Sequence, residues 1–316
     1  MEEVLWRGCL NADKNMVRMA IRNGADINHV NGYGETPLIK AAGVGHKKIV
    51  KILLANKVNI NYIDKNHKTA LGWAVKEGNT NIVKLLLTHN ANVHLMDCNG
   101  DPLLPFVADH GRYKIVKLLL NYGVDINQTN IHGNTALSLA PCHNYGYNKK
   151  VIKILLSRSD VDINHINKQG NTALIHAVQD YHKKTVKILL IHGADVNIAN
   201  IHGNTALFYG CGRGCSKICK LLIANGANVN HVNINGNLPL KRAISRGNKK
   251  TVKILLANNA DVNHINKKGQ TVHTLATEFG YIEIQSIIYL YIYKKLSNNY
   301  INIIPTDIVG EIANFI

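Results

Sequence analysis

The sequence predicts an all-α solenoid of about nine helix pairs with β-turn connections, plus a short C-terminal helix. Three observations predict it. Glycines recur at Gly34, Gly100, Gly133, Gly170, Gly203, Gly236 and Gly269, with His67 standing in once; the spacing is about 33 residues, apart from one step of about 37 after Gly133. Shortly after each comes a Thr or Pro and an apolar run, as at a helix start. A second apolar cluster, such as Val186, Ile188, Leu189 and Leu190, then ends at Gly or Asn. One such pair cannot bury its apolar face alone, so stacked neighbours must share one elongated core.

In chain order, residues 2–27 make an irregular N-terminal cap pair, with Val4, Leu5, Leu10, Val17, Met19 and Ile21 as expected inner residues. Seven pairs begin near Thr36, Thr69, Pro102, Thr135, Thr172, Thr205 and Leu238, and a last pair covers 271–293. Thr36 and its equivalents can cap free helix N–H groups, and Pro37 suits a first helical turn. Gly24, Gly123, Gly193 and Gly226, with Asn90 and Asn259 as substitutes, supply the left-handed residue that closes the second helix. Pro105 predicts a late or distorted start to its helix. Gly210 and Gly212 each weaken theirs by roughly 1 kcal/mol relative to Ala. The array is expected over 1–293, a linker over 294–300 and a separate helix over 301–316.

The motifs Gly34-x-Thr36-Pro37-Leu38, Gly133-x-Thr135-Ala136-Leu137, Gly170-x-Thr172-Ala173-Leu174 and Gly203-x-Thr205-Ala206-Leu207, with the Gly-Ala-Asp-Val-Asn ending at Gly193–Asn197, resemble the ankyrin repeat family closely. That resemblance implies protein binding, with specificity in variable positions such as Tyr33, Lys68, Asn99, Gln169, His202 and Lys268. The fifth pair carries extra residues at Pro141–Asn148, and Tyr145 and Tyr147 there are candidate partner anchors.

The net charge of +17 admits nucleic acid or an acidic partner. The lysines follow the repeat, however: Lys51, Lys84, Lys117, Lys153, Lys187, Lys220 and Lys253 share one phase near the start of each second helix. No base-reading motif accompanies them, so specific nucleic-acid binding is not expected. Of six cysteines, Cys211 and Cys219 align with packed positions and Cys215 with an inter-helix turn, against a metal site. His29, His132, His165, His202, His231 and His264 read as surface turn residues, one per repeat and too far apart to share a metal. Asp26, Asp125, Asp195 and Asp261 read as turn formers, and Trp73 and Tyr209 as core. No nucleophile elbow, phosphate loop or zinc-protease motif is present, so neither an enzyme nor a cofactor is expected. No signal peptide or membrane span is expected. The expected form is a monomer of cytoplasmic type.

The tail YINIIPTDIVGEIANFI does not continue the repeat. Ile304, Ile308, Ile312 and Ile316 recur every four residues, and Pro305 and Asp307 suit a helix start. The run Ile304-Pro305-Thr306-Asp307-Ile308 resembles the opening of an F-box, and an ankyrin array with such a shortened tail resembles poxviral ankyrin proteins and Orientia-type effectors. The resemblance implies a Skp-type adaptor of a cullin–RING ubiquitin ligase as partner, held by Ile304, Pro305, Asp307, Ile308 and Ile312. It also implies a host target protein on the repeats and secretion into the host cell without a classical signal peptide. The other reading of the tail is an apolar helix that caps the last repeat.

Overall fold

The computed structural model describes residues 1–94, 101–141 and 148–299. These contain eighteen helices and no strand, in two compact units, Met1–Lys168 and Gln169–Ile316. The first unit holds five helix pairs: α1 Glu2–Leu10 with α2 Lys14–Arg22, α3 Pro37–Val44 with α4 Lys47–Leu54, α5 Ala70–Glu77 with α6 Thr80–Thr88, α7 Leu103–Asp109 with α8 Tyr113–Asn121, and α9 Ala136–Leu139 with α10 Asn148–Leu156. The second holds four: α11 Ala173–Gln179 with α12 Lys183–Ile191, α13 Ala206–Gly212 with α14 Ser216–Ala224, α15 Pro239–Ile244 with α16 Lys249–Ala257, and α17 Val272–Glu278 with α18 Ile282–Asn299. Within each unit, every first helix packs on the next first helix and every second helix on the next second helix.

The local chemistry fixes each start and stop. The hydroxyls of Thr36, Thr69, Thr135, Thr172, Thr205 and Thr271 each accept the backbone N–H three residues on. Turn glycines hold positive φ, from 68° at Gly203 to 79° at Gly34, and His67 manages 56° in their place. The left-handed closing residue is Gly24, Gly123, Gly193 or Gly226, and Asn90 and Asn259 adopt it at 63° and 60°.

The core is aliphatic. Leu38, Leu71, Leu104, Leu137, Leu174, Leu207 and Leu240 are buried at one repeat position, and Val50, Val83, Val116, Ile152, Cys219 and Val252 at another. Each such Leu or Val contributes roughly 1.5–3 kcal/mol on burial.

Four expectations change. Leu10 and Met19 are exposed in the N-terminal pair; Cys9 and Ala20 take the inner positions instead, because each lies one residue along on the side facing α3 or α4. Helix α7 starts in register at Leu103, since Pro105 is its third residue and needs no intrahelical N–H partner. Gly210 and Gly212 are packing glycines: an added Cβ would stand 3.2 Å from Cys219 Sγ at the first and 2.6 Å from Arg242 Nε at the second. Helix α18 runs on to Asn299, through most of the segment expected as a linker, because 294–299 contains neither Pro nor Gly.

Candidate protein-binding surface

The β-turns are built by asparagine. In six turns one Asx oxygen accepts two backbone N–H groups, two and four residues on: Asn31, Asp64, Asn130, Asn200, Asn233 and Asn266 do this at 2.8–3.0 Å. Asp26, Asp125, Asp195 and Asp261 close the preceding loops by accepting the N–H two residues on, as expected of turn formers. Asparagines then tie neighbouring repeats. Asn28, Asn61, Asn127, Asn197 and Asn230 each accept a backbone N–H of the following repeat, at 2.8–2.9 Å. These ties hold the turn tips at fixed spacing.

The turn histidines are more than surface residues. His165 donates from Nε2 to Gly133 O at 3.0 Å, His231 to Gly203 O at 3.0 Å and His264 to Gly236 O at 2.9 Å. Each reaches the preceding repeat. His29 has no preceding turn glycine to reach and is exposed. The signal for this role in the sequence is a histidine five residues before the next turn glycine, as His165, His231 and His264 stand before Gly170, Gly236 and Gly269.

The candidate target-binding residues fall into three groups. Tyr33, Gln169, His202 and Lys268 occupy one repeat position, immediately before the turn glycine, and are exposed, Tyr33 at 78%. Lys68 is two positions further on and is 7% exposed, in the row that also buries Asn171; its Nζ lies 4.7 Å from the Trp73 ring centroid. Asn99, Tyr145, Tyr147, Ile304, Pro305, Asp307, Ile308 and Ile312 lie outside the described residues.

Trp73 and Tyr209 are half-buried, not core. They belong to a row, four residues past the helix cap, that reads Lys40, Trp73, Phe106 and Leu139 in the first unit and His176, Tyr209, Arg242 and Leu275 in the second. Leu275 is buried and the other seven are half-buried. Trp73 donates from Nε1 to Asp64 Oδ2 at 2.7 Å, and its ring is flanked by the Nζ atoms of Lys68 and Lys76 at 4.7 and 4.8 Å. Large, amphipathic and differing side chains at one scaffold position are what a protein-recognition surface requires.

The lysine ladder is exposed throughout and sits mid-helix, Lys51, Lys84, Lys117, Lys187, Lys220 and Lys253 each being the fifth residue of its helix. Between α2 and α4, Lys14, Arg18, Arg22, Lys48 and Lys51 line an open groove of about 570 Å³. Cys211 and Cys219 pack fully buried, Sγ atoms 4.0 Å apart, while Cys215 stands at the inter-helix turn. Burial raises the Cys211 thiol, and pushes that of Cys9 to about 12, so both are inert thiols. No helix among the described residues is long and apolar enough to cross a membrane.

Helix pairs with Asx-built turns and a varied, half-exposed row define a repeat protein-interaction module. The family model for ankyrin repeats matches residues 5–97, 89–165, 142–233 and 214–299, and the chain belongs to the ankyrin repeat family. Among solved structures it is similar to the ankyrin repeat domain of Bcl-3, a member of the IkappaB protein family, at 29% identity and a TM-score of 0.62, over 70% of this chain and 98% of that one. No curated protein matches the sequence.

Proposed function

We propose that this protein is a non-enzymatic, host-directed adaptor: its repeats select a target protein, and its tail engages the Skp-type adaptor of a cullin–RING ubiquitin ligase. The binding half rests on one repeat position that carries large, half-exposed and dissimilar side chains within each unit, Trp73 and Phe106 in the first and His176, Tyr209 and Arg242 in the second. The ligase half rests on the sequence Ile304-Pro305-Thr306-Asp307-Ile308 following a repeat array. Three apolar side chains, Ile304, Ile308 and Ile312, would each contribute roughly 1.5–3 kcal/mol if buried in a partner's groove.

The second reading, a plain scaffold whose tail caps the last repeat, has its own support. Leu290 and Tyr289 on α18 are exposed, and an open groove between α16 and α18 is lined by Leu256, Ile287, Leu290 and Tyr291. An apolar tail could cover it.

Purified Skp-type adaptor, titrated against the full chain, against a version ending at Asn299 and against Pro305→Ala/Ile308→Asp, separates the readings. The adaptor reading expects binding by the full chain alone, with melting temperatures nearly equal. No adaptor binding by the unmutated chain, together with a melting temperature lowered by several degrees in both variants, would leave the scaffold reading.

A further inference from the structure

The second unit concentrates positive charge at one place on its first helices. Arg213 follows α13, Arg242 lies in α15 and Arg246 follows α15. The chain is rich in lysine and has only eight arginines, so three together is a choice of side chain as well as of charge. An aromatic frame holds two of them, Arg213 and Arg242. The Arg213 guanidinium lies 5.1 Å from the Tyr181 ring centroid, and its Nη1 donates to Tyr181 Oη at 3.2 Å. The Arg242 guanidinium lies 5.4 Å from the Phe208 ring centroid. Gly212 makes room for it, since a Cβ there would meet Arg242 Nε at 2.6 Å.

This charge is unmatched. Among the described residues, no carboxylate stands within ion-pair distance of Arg213, Arg242 or Arg246. Arg242 Nε is shut off from solvent and has no hydrogen-bond partner. Burial first, then the like charges of Arg246 and Arg213, makes the Arg242 guanidinium less favourably charged, with Tyr209 opposing. Rigid, aromatic-backed guanidinium groups without an internal anion suit bidentate pairing with carboxylates from outside.

The patch is also bounded. The row that carries Arg213 and Arg246 begins at Asp180 and ends at Phe279, with Glu278 beside it. Positive charge therefore spans two repeats and stops. A long polyanion would meet negative charge at Asp180 and Glu278, whereas a short acidic stretch would not.

We propose that Arg213, Arg242 and Arg246, framed by Tyr181 and Phe208, form a docking site for a short acidic segment of a partner protein, its Asp and Glu carboxylates paired with the guanidinium groups. This deepens the target-binding half of the proposed function and is independent of the tail.

The test uses the full chain and a fluorescein-labelled dodecapeptide of alternating Glu and Gly, read by anisotropy at near-physiological salt. Controls are the same peptide with Gln for Glu and a single-stranded oligonucleotide of equal charge. Arg213→Gln/Arg246→Gln changes two exposed side chains, and Arg242→Gln the framed one. Lys187→Gln/Lys220→Gln removes the same charge from the outer ladder. Binding of the Glu peptide, weakened about tenfold or more by either arginine variant and less than twofold by the lysine variant, is the expected result. The Gln peptide should not bind. Equal losses from the lysine variant, stronger binding of the oligonucleotide, or no binding of the Glu peptide would each overturn the proposal. Circular dichroism melts show whether each variant is folded, and Arg246→Gln alone, at an exposed residue, keeps the test valid if another is not. The version ending at Asn299 should bind the peptide as the full chain does, so loss of ligase-adaptor capture and loss of this site are read separately.

Discussion

Asn200 donates from Nδ2 to Tyr209 Oη at 2.8 Å, and at the same two repeat positions Asp64 Oδ2 accepts from Trp73 Nε1 at 2.7 Å. The bond is conserved in place and reversed in direction. Indole N–H can only donate, so the Asx atom left over from the turn must be an acceptor, the second carboxylate oxygen; a phenol oxygen can accept, so an amide nitrogen suffices there. In both turns the Asx Oδ1 is already committed to two backbone N–H groups, which leaves Oδ2 of Asp64 or Nδ2 of Asn200 for the ring.

Asp64→Asn should therefore be expensive beside Trp73 and cheap beside tyrosine. Alone, it sets an amide donor against the indole N–H and should lose about 1–3 kcal/mol. With Trp73→Tyr the pair copies Asn200–Tyr209, and most of that loss should return. Urea denaturation of the four members of the cycle, followed by far-ultraviolet circular dichroism, measures the coupling. Equal effects of Asp64→Asn in both backgrounds would show that the pair does not act as one.

This pair marks where sequence reading stops. Helix starts, turn glycines and closing asparagines were legible, because each obeys a local rule that a few residues satisfy: Thr36, Gly170 and Asn259 all do what their type and position imply. The inner row was not. Trp73 and Tyr209 look apolar in sequence, and only a partner nine residues earlier, brought close by the turn, shows that their polar atoms set their depth. Lys68 is hidden for a related reason: being near a turn tip does not place it on the tip's outer side, and it is buried. Arg213, Arg242 and Arg246 are separated in sequence by up to one repeat, and their common surface arises only from stacking of α13 on α15.

The histidine ties should contribute to stability through Nε2. His231→Ala and His264→Ala each remove a hydrogen bond to the carbonyl of a neighbouring turn glycine, a loss of about 1 kcal/mol apiece. His29→Ala, at the equivalent position of the first repeat, should stay within about 0.5 kcal/mol of the parent. Urea midpoints at neutral pH check this, and an equal loss at His29 would mean that the ties add nothing.

Glycines of the two repeat positions should respond differently to the same substitution. Gly203 has φ of 68°, and an added Cβ would lie 2.9 Å from Ile234 N and 3.0 Å from Asn233 Cα, which are backbone atoms of the next turn. Gly226 has φ of 85° with nothing within 4 Å of a Cβ. Gly203→Ala should thus lose clearly more than the roughly 1–2 kcal/mol that the left-handed backbone alone costs Gly226→Ala. Gly226→Asn should lose less than Gly226→Ala, as Asn90 and Asn259 already hold that conformation. Denaturation midpoints that rank these three otherwise would contradict the turn-packing account.

The last prediction concerns pH. His176, half-buried in α11, is held below the ordinary histidine value of 6.5 by burial, with the negative charge of Asp180 opposing. The sign follows from proton counting. Above about pH 6.5 the imidazole is neutral in folded and unfolded chains alike, and its contribution is flat. As pH falls, the unfolded chain takes up its proton first. Stability is then lost progressively until the folded-state value is passed, where the loss is complete. Asp180→Asn removes the opposing charge, lowers the folded-state value further and should deepen the acid-side loss. His176→Gln removes the group and should flatten the profile between about pH 7 and pH 5 relative to the parent. Urea midpoints across that range for the parent and both variants make the comparison, with the steepest profile expected for Asp180→Asn and the shallowest for His176→Gln. If His176→Gln kept the parent's slope, the proton uptake responsible would belong to another group.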